Sequence, residues 1–435
     1  MPRDYEIGLG PDAVTLTIGT DTLTTWTSYQ VTCSVFDAPG RFGLRLGWGD
    51  TARELIQKYA KGDPFKLHIG GRLMLTGTLD ALEVPEGNYT QLDIRGRDHI
   101  AALKNDYLRA EQSFSESSYF KLAKAMLEEI GMDQWGLVGD NTANRLAITG
   151  ANRITVKQPA RATEEAEVES DAATTGSTSR VIRKTLKAKL GEPRLGFLQR
   201  QFKRAGLFLW CAGDGSFILS EPNANQVAIY GLNRYRGIRD AGSNITGCHW
   251  KDDAAQRHAM AVVHGRGGGG KKGRGKMHGQ FVDTELTDLG YTNQITEQDN
   301  ECKTIAECEF AARRRITDER RKGWTLDYTV SGHTTLPSDL ETERIVWAPD
   351  TVAHVDDNEL GIRGDHYIHT VTYIGSADGT TTKLSLMRPE DLVFAEEMEK
   401  ARPTHRATAG GQQAANSRSA AKRARLARLA ALATQ

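Results

Sequence analysis

Residues 62–97 read GDPFKLHIGGRLMLTGTLDALEVPEGNYTQLDIRGR, and this stretch decides the fold class. Apolar and polar side chains alternate in three successive segments, which predicts strands that each bury one face. The Gly70-Gly71 pair favours a tight turn between the first two strands, because such turns need positive φ values. The predicted apolar positions are Phe65, Leu67 and Ile69, then Leu73, Leu75 and Leu79, and finally Leu92 and Ile94.

A second stretch, residues 348–388, repeats this pattern with little residue identity. The repetition predicts two copies of one β-barrel-like module, separated by an α+β insertion. The alternative is two unrelated β-meanders that share turn chemistry. The elements of the second copy are a strand at Val352 and Val355, a loop through Gly361 to Gly364, a long strand from Tyr367 to Ile374, a turn at Ala377 to Thr381 and a strand at Leu384 and Leu386.

Three helical patterns complete the prediction. Ser115 and Ser117 are candidate N-caps of the first helix, and Pro193 suits the first turn of the second. A hairpin follows the second helix at Gly213-Asp214-Gly215. The apolar stripes are Tyr119, Leu122, Ala123, Met126, Leu127 and Ile130 in the first helix, Leu195, Leu198, Phe202 and Ala205 in the second, and Ile305, Cys308, Ala312 and Ile316 in a third helix over about 301–322.

The length of 435 residues suits about three domains at ~150 residues each. A polar segment near 157–190 is expected to be mobile, and a Gly/Lys-rich loop is predicted at 264–277. From Arg402 onward the chain has seven Lys and Arg residues and no acidic residue. The predicted segments are residues 1–105 for the first module, 106–225 for the α+β insertion region, 226–395 for the second module and 396–435 for a basic tail.

The composition argues against two classes of protein. Lys plus Arg and Asp plus Glu number 56 each, so the net charge gives no reason to expect a nucleic-acid binder. The sequence has no run of about eighteen apolar residues, so we expect no membrane insertion. The first residues lack the pattern of a signal peptide. Five scattered cysteines favour reduced thiols in a protein made in the cytoplasm.

The glycine-rich stretch GRGGGGKK at 265–272 nearly matches a P-loop. However, Lys272 occupies the position of the Mg²⁺-binding Ser or Thr, and the glycines that follow disfavour the required helix. The same objection applies to the dinucleotide pattern of Gly265, Gly267 and Gly270. We therefore predict a flexible basic loop, able to contact polyanions or an acidic partner, and no nucleotide cofactor.

Metal-ligating and catalytic residue types are present without the spacing that their chemistry requires. The chain has no C-x₂-C pair for zinc and no G-x-S-x-G elbow for a nucleophilic serine. Glu128-Glu129 and Asp356-Asp357 lie in contexts typical of solvated surface rather than of paired catalytic acids. We therefore predict no catalytic, metal or cofactor-binding residue and no enzyme. The candidate metal ligands are Cys248, His249, His258 and His264, then Cys302 and Cys308, and finally His354, His366 and His369.

A series of short motifs runs in order through residues 12–390. They are Val14-Thr15-Leu16, Trp26 to Thr32, Gly40 to Leu44, Gly62-Asp63-Pro64, Leu75 to Asp80, Ile94 to Asp98, Phe197 to Gly206, Val263-His264-Gly265, Trp347 to Asp350, Tyr373-Ile374-Gly375, Asp378 to Thr381 and Arg388-Pro389. This series resembles the baseplate hub proteins of Mu-like contractile-tailed bacteriophages, which have tail-tube-like β-barrels. The departures are the insertion at Gln158 to Arg180, the Gly/Lys loop and the tail after Pro403.

The resemblance implies a mainly β fold with α+β insertions, in which each chain has two tail-tube-like antiparallel β-barrel modules and three chains form a ring. It implies a structural hub of the virion that joins the sixfold tail tube to the threefold central spike. The implied partners are the tail tube or tube-initiator protein, the spike, other baseplate proteins, and the tape-measure protein or DNA in the lumen. The alternatives are the hub of a phage-like contractile injection or secretion particle, a tail-associated cell-wall hydrolase and a P-loop NTPase.

Overall fold

The computed structural model describes residues 10–392 except 86–90, 109–111, 115–117, 140–185, 189, 225, 236–241, 267–276, 301, 303 and 336–343. The strands are β1 (Val14–Ile18), β2 (Asp21–Leu23), β3 (Ser28–Ser34), β4 (Arg41–Gly47), β5 (Pro64–Ile69), β6 (Arg72–Glu83), β7 (Gln91–Asp98), β8 (Gln112–Phe114), β9 (Leu137–Val138), β10 (Leu186–Ala188), β11 (Phe208–Cys211), β12 (Phe217–Ser220), β13 (Tyr230–Arg234), β14 (Ile245–Asp252), β15 (Met260–Gly265), β16 (His278–Val282), β17 (Gln294–Asp299), β18 (Trp324–Ser331), β19 (Thr351–Asp357), β20 (Ile362–Ser376) and β21 (Gly379–Met387).

The helices are α1 (Asp50–Lys58), α2 (Ile100–Asn105), α3 (Tyr119–Glu128), α4 (Arg194–Arg204), α5 (Thr284–Asp288) and α6 (Ile305–Gly323), with short 3₁₀ turns at Asp133–Trp135 and Pro389–Asp391. Within the described residues, no helix has the length and apolar character needed to cross a bilayer. The fold is therefore mainly β with few helices, as the sequence predicts.

A 13-stranded sheet forms the body of the molecule. Its order is β14-β18-β21-β20-β3-β4-β7-β6-β5-β1-β2, and β19 and β13 extend it from the edge of β20. Neighbouring strands of this sheet are antiparallel, except that β13 pairs with β19 in parallel. The main core covers one face of this sheet and includes apolar side chains from both predicted β regions. Within the described residues the sheet runs from β14 to β2 without closing, so barrel closure stays a prediction.

The predicted repeat corresponds to two sets of strands in this sheet. The first set has the order β3-β4-β7-β6-β5, and the second has the order β14-β18-β21-β20-β19. The fourth strand in each order is long and carries a bulge, at Asp80 in β6 and at His369 in β20. Each set therefore has the strand, long strand and strand that the sequence pattern predicts.

Backbone geometry also repeats just before β5 and just before β19. The Gly62 amide donates to the carbonyl of Leu79 at 2.8 Å, and the Asp350 amide donates to the carbonyl of Ile368 at 2.9 Å. Leu79 and Ile368 each immediately precede the bulge of their strand. Gly62 has φ 95° and Asp350 has φ 63°, a region that side chains other than glycine rarely adopt. The two positions are thus equivalent in pairing and in conformation.

Two smaller α/β units pack beside the sheet. In the first, α3 and α4 bury apolar side chains with β11 and β12, and the buried Arg194 of α4 forms ion pairs with Asp106 and Glu129. In the second, α6 covers a three-stranded sheet of order β16-β15-β17. Its buried Arg257 contacts the buried carboxylate of Asp283 at 3.1 Å. The second unit lies between β14 and β18 in the chain.

Several sequence predictions agree with these elements. The hairpin at Gly213-Asp214-Gly215 forms between β11 and β12. The third predicted helix corresponds to α6, in which Cys308, Ala312 and Ile316 are fully buried. Ile305 was expected in the same stripe, but it is 54% exposed because it is the first residue of the helix and lies at the end of the covered sheet.

Other predictions need correction. The N-cap of α3 is Ser118, whose side chain accepts from the Lys121 amide, and the candidate caps Ser115 and Ser117 lie outside the described residues. Most of the segment 157–190 also lies outside, but Leu186–Ala188 pairs with β8 as a strand. His264 and Gly265 belong to β15 rather than to the predicted loop, of which 267–276 is not described. The basic tail 396–435 lies outside the described residues too.

Candidate functional site

The two β regions meet where β3 pairs with β20. Six residue pairs join them in antiparallel register, from Ser34 opposite Thr370 to Tyr29 opposite Gly375. The second half of β20 thereby lies between β3 and β21, whereas its first half pairs with β19 and is joined by β21 only from Tyr367 onward. One strand therefore links the first β region to the last, and we call the β3–β20 contact the junction.

The register of the junction follows from the alternation in both strands. Val31 lies opposite Tyr373, and Cys33 lies opposite Val371. All four side chains are buried, which places the apolar face of β3 on the same side as that of β20. A slip of one residue would move the whole apolar set of one strand to the other face of the sheet, so burial specifies this register.

The tyrosine at the end of the junction needs a glycine opposite it. A Cβ atom on Gly375 would lie 2.2 Å from Cε1 of Tyr29, far inside contact distance. The glycine therefore allows the Tyr29 ring to lie flat on the backbone of β20. The ring is 3% exposed, and its hydroxyl lies 2.7 Å from Nε2 of His333.

His333 connects this tyrosine to the second β region. The Thr382 hydroxyl donates to the carbonyl of Gly332 at 2.7 Å, so its oxygen is free to accept from His333 Nδ1–H at 2.9 Å. Nε2 is then the acceptor for the Tyr29 hydroxyl, and the network specifies a single neutral tautomer. The imidazole is 0% exposed, and every polar atom of its ring has a partner.

The N-terminal part of the described chain joins the same network. Asp12 Oδ1 accepts from the His333 amide at 2.7 Å and from the Thr334 hydroxyl at 3.0 Å. Burial lowers the pKa of His333 to about 4 and raises the pKa of the Tyr29 phenol above its ordinary value. Both side chains are therefore neutral at pH 7, and their hydrogen bonds hold the two β regions together without a buried charge.

Residues 13–98 match the family model described as Mu phage baseplate assembly protein GpP-like, N-terminal. Over more of its length the chain has the fold of two solved tail proteins. The tail protein from Neisseria meningitidis MC58 superposes with TM-score 0.67 at 18% identity, over 87% of this chain and 97% of that one. The 43 kDa tail protein of prophage MuSo2 from Shewanella oneidensis superposes with TM-score 0.65 at 17% identity, over 88% and 100%.

The chain resembles the Mu-like baseplate proteins. The family model supports a phage baseplate protein, and the two solved tail proteins support the fold. No curated protein sequence matches the chain. The family model ends at residue 98, so it covers β3 but not β20, and the junction joins the matched region to a part of the chain beyond it.

The candidate metal ligands are dispersed among structural contacts. Among the described residues, no group of three or more His, Cys, Asp or Glu side chains could hold a metal ion. Cys248 is in β14, whereas His258 Nδ1 lies 3.0 Å from Glu319 and the rings of His264 and His278 are 5.6 Å apart. The remaining contacts are His354 with Asp365, His366 with the carbonyl of Gly364, His369 with Thr370, and Cys302 with the carbonyl of Glu307.

The acidic pairs also have structural partners. Glu129 forms an ion pair with Arg194, and Asp357 accepts from the Tyr328 hydroxyl at 2.8 Å. Asp357 is completely buried, so the expectation of solvated surface is wrong for this residue. The burial of Asp357 was missed because its partner Tyr328 lies 29 residues away, and no local sequence pattern links the two.

Sequence reasoning also missed Asp98, the last residue of β7. Its carboxylate accepts from the amides of Gly40 at 2.6 Å and Ile100 at 3.0 Å, while Cys33 and Cys211 line the same small cavity. Burial raises the pKa of Asp98 to about 7, despite these two hydrogen bonds. The position lies where the sheet meets the first α/β unit, and its aspartate identity is the only signal that the sequence offers.

Proposed function

We propose that the protein is the hub of a contractile-tail baseplate. In this role three chains form a ring that joins the sixfold tail tube to the threefold central spike and leaves a lumen for DNA or the tape-measure protein. The observation that carries the proposal is the repeated strand order, with its equivalent bulges and its equivalent positions Gly62 and Asp350. A duplicated module in a threefold ring offers six similar faces, which suits a sixfold tube on one side and a threefold spike on the other.

The module boundaries are part of the proposal. We assign residues 1–105 and 226–395 to the two tube-like modules and 106–225 to the insertion region. The unit from Met260 to Gly323 is then an insertion within the second module, because its sheet is separate from the main sheet. Ring formation would complete the barrel of tube-like strands, which is not closed within the described residues of one chain.

We propose a structural role without catalysis or a cofactor. The buried polar groups of the junction are neutral and hydrogen-bonded to one another, which supports a stable structural contact between the two β regions. The expected partners are the tail tube or tube-initiator protein, the spike and other baseplate proteins, in a virion assembled in the host cytoplasm.

The test is a cryo-EM map of the particle together with native mass spectrometry of the purified protein. We expect three copies, each contributing two similar β modules to one ring. Six copies that each place one module in the ring, or a monomer in the assembled particle, would contradict the hub proposal. Peptidoglycan zymography tests the separate claim that the protein is not a hydrolase, for which we expect no clearing.

A further inference from the structure

Several strand edges of the main sheet are open within the described residues, among them the outer edges of β2 and β13. Two others, those of β14 and of the second half of β6, correspond to strands of the junction. Strand β14 pairs only with β18. Strand β6 pairs with β5 up to Thr78, and beyond the bulge at Asp80 it pairs only with β7, through Ala81, Leu82 and Glu83. Open strand edges present unpaired backbone groups that readily add a further strand.

The internal repeat indicates which strand each open edge resembles. Ala81 follows the bulge of β6 as Thr370 follows the bulge of β20, so Glu83 is equivalent to Thr372. The second half of β6 is thus equivalent to the half of β20 that pairs with β3.

The other open edge is equivalent to β3. Leu79 in β6 and Ile368 in β20 each precede the bulge of their strand. Through the paired residue of β7, Leu79 aligns with Phe42 in β4. Through the paired residue of β21, Ile368 aligns with Leu326 in β18. The residue opposite Phe42 is Val31, and the residue opposite Leu326 is Trp250. By the same pairings, Thr32 of β3 is equivalent to Lys251 of β14.

We propose that β14 of one chain pairs antiparallel with the second half of β6 of the next chain, and so repeats the junction between chains. Thr32 lies opposite Thr372 in the junction, so the repeat places Lys251 opposite Glu83. Similarly, Val31 lies opposite Tyr373, which places Trp250 opposite Val84.

The side chains at these positions are complementary. Lys251 and Glu83 carry opposite charges, and their side chains are 49% and 51% exposed in the single chain. Opposite charges directly across an antiparallel pair are stabilising, whereas like charges are not. Trp250 lies on the same face as the buried Leu326, yet it is 46% exposed because no further strand covers it. A neighbouring β6 would cover it with the apolar Val84, which packs against the main core.

This inference rests on the proposed hub, because it specifies the contact that closes the ring. The two edges differ, so the contact is head-to-tail and leads to a ring or an open filament rather than to a twofold dimer. Each chain then contributes one junction of its own and one junction shared with the next chain.

The test is a disulfide between the two strands in the full-length chain. The double variant Glu83→Cys with Lys251→Cys, in a Cys248→Ala background, should give a covalent trimer on non-reducing gels after mild oxidation. Mixing the two single variants should give only covalent dimers, and each single variant alone should give none. The control pair, Glu83→Cys with His249→Cys, is two residues out of register on the same face and should cross-link at least tenfold more slowly.

Charge reversal gives a second measurement on the same pair. Glu83→Lys or Lys251→Glu alone should weaken association about fivefold per interface, and the double reversal should restore it. A trimer in which the 83–251 pair does not cross-link and the reversals do not compensate would overturn this register while leaving the hub intact. A protein that is monomeric in assembled particles would overturn both proposals.

Discussion

Replacing His333 by leucine should destabilise the junction strongly. The variant leaves the Tyr29 hydroxyl buried without its acceptor, which costs about 1–3 kcal/mol, and it removes the hydrogen bond to Thr382, worth about 1 kcal/mol. We therefore expect the free energy of unfolding to fall by about 2–4 kcal/mol. Urea denaturation of the isolated chain, followed by circular dichroism, measures this change.

A double-mutant cycle separates the hydrogen bond from the loss of packing. Tyr29→Phe combined with His333→Leu removes both polar partners and should recover about 1–2 kcal/mol relative to the sum of the single changes. His249→Leu is the matched control, because that side chain is 68% exposed and should change stability little. Additive single changes would refute the network as described.

The same variant tests the protonation of His333. The pKa of His333 is about 4 in the folded chain, compared with the ordinary value of 6.5 in the unfolded chain. Above pH 6.5 the imidazole is neutral in both states, so its protonation does not change the stability there. As the pH falls from 6.5 towards 4, the unfolded chain binds a proton that the folded chain does not bind, and stability is lost. The loss reaches about 3 kcal/mol, at about 1.4 kcal/mol for each pH unit. His333→Leu should lack this part of the pH dependence, and parallel curves for the two proteins would refute the assignment.

Three further changes have definite expectations. Gly375→Ala should cost at least about 1–3 kcal/mol through the clash at the junction, whereas Gly43→Ala in β4, with no atom within 4 Å of the new Cβ, should be nearly neutral in denaturation. Arg257→Met should leave the buried Asp283 with one cationic partner fewer and lower the free energy of unfolding by about 3 kcal/mol. Amide hydrogen exchange in the second α/β unit should become faster. Thr304→Ala removes the N-cap of α6 and should lower the free energy of unfolding by about 1 kcal/mol. An unchanged thermal unfolding curve of the helical circular dichroism signal would contradict this.

Local signals in the sequence predicted the elements of this fold well. The hairpin at 213–215 and the core face of α6 depend on turn residues and on spacing within a few positions, and both are found. The two stretches share the order of strands and glycine turns, which predicts two copies of one module, and the duplication stays a prediction. Ser118 was missed as the cap of α3 because neighbouring serines carry an equivalent signal.

The junction could not be predicted in the same way. Tyr29 and His333 are 304 residues apart, and neither has a local pattern that names its partner. In the sequence His333 is an isolated histidine, and only its packing against Tyr29, Tyr373 and Thr382 makes it a buried, neutral connector. The separate sheet of β15, β16 and β17 was likewise hidden, because β15 has consecutive buried residues and β17 is mostly exposed, so neither shows a clear alternation.

The pairing of β3 with β20 also has a consequence for synthesis on the ribosome. The partner of β3 is encoded about 340 residues after β3 itself. At roughly 5–20 residues per second, β3 emerges about 20–70 s before β20 can reach it. During that interval the nascent chain carries an open strand edge with Val31 and Cys33 uncovered, which is an aggregation hazard. A nascent chain that stops before Thr370 should therefore depend on chaperones, because the main sheet is complete only after β20 and β21 have been synthesised.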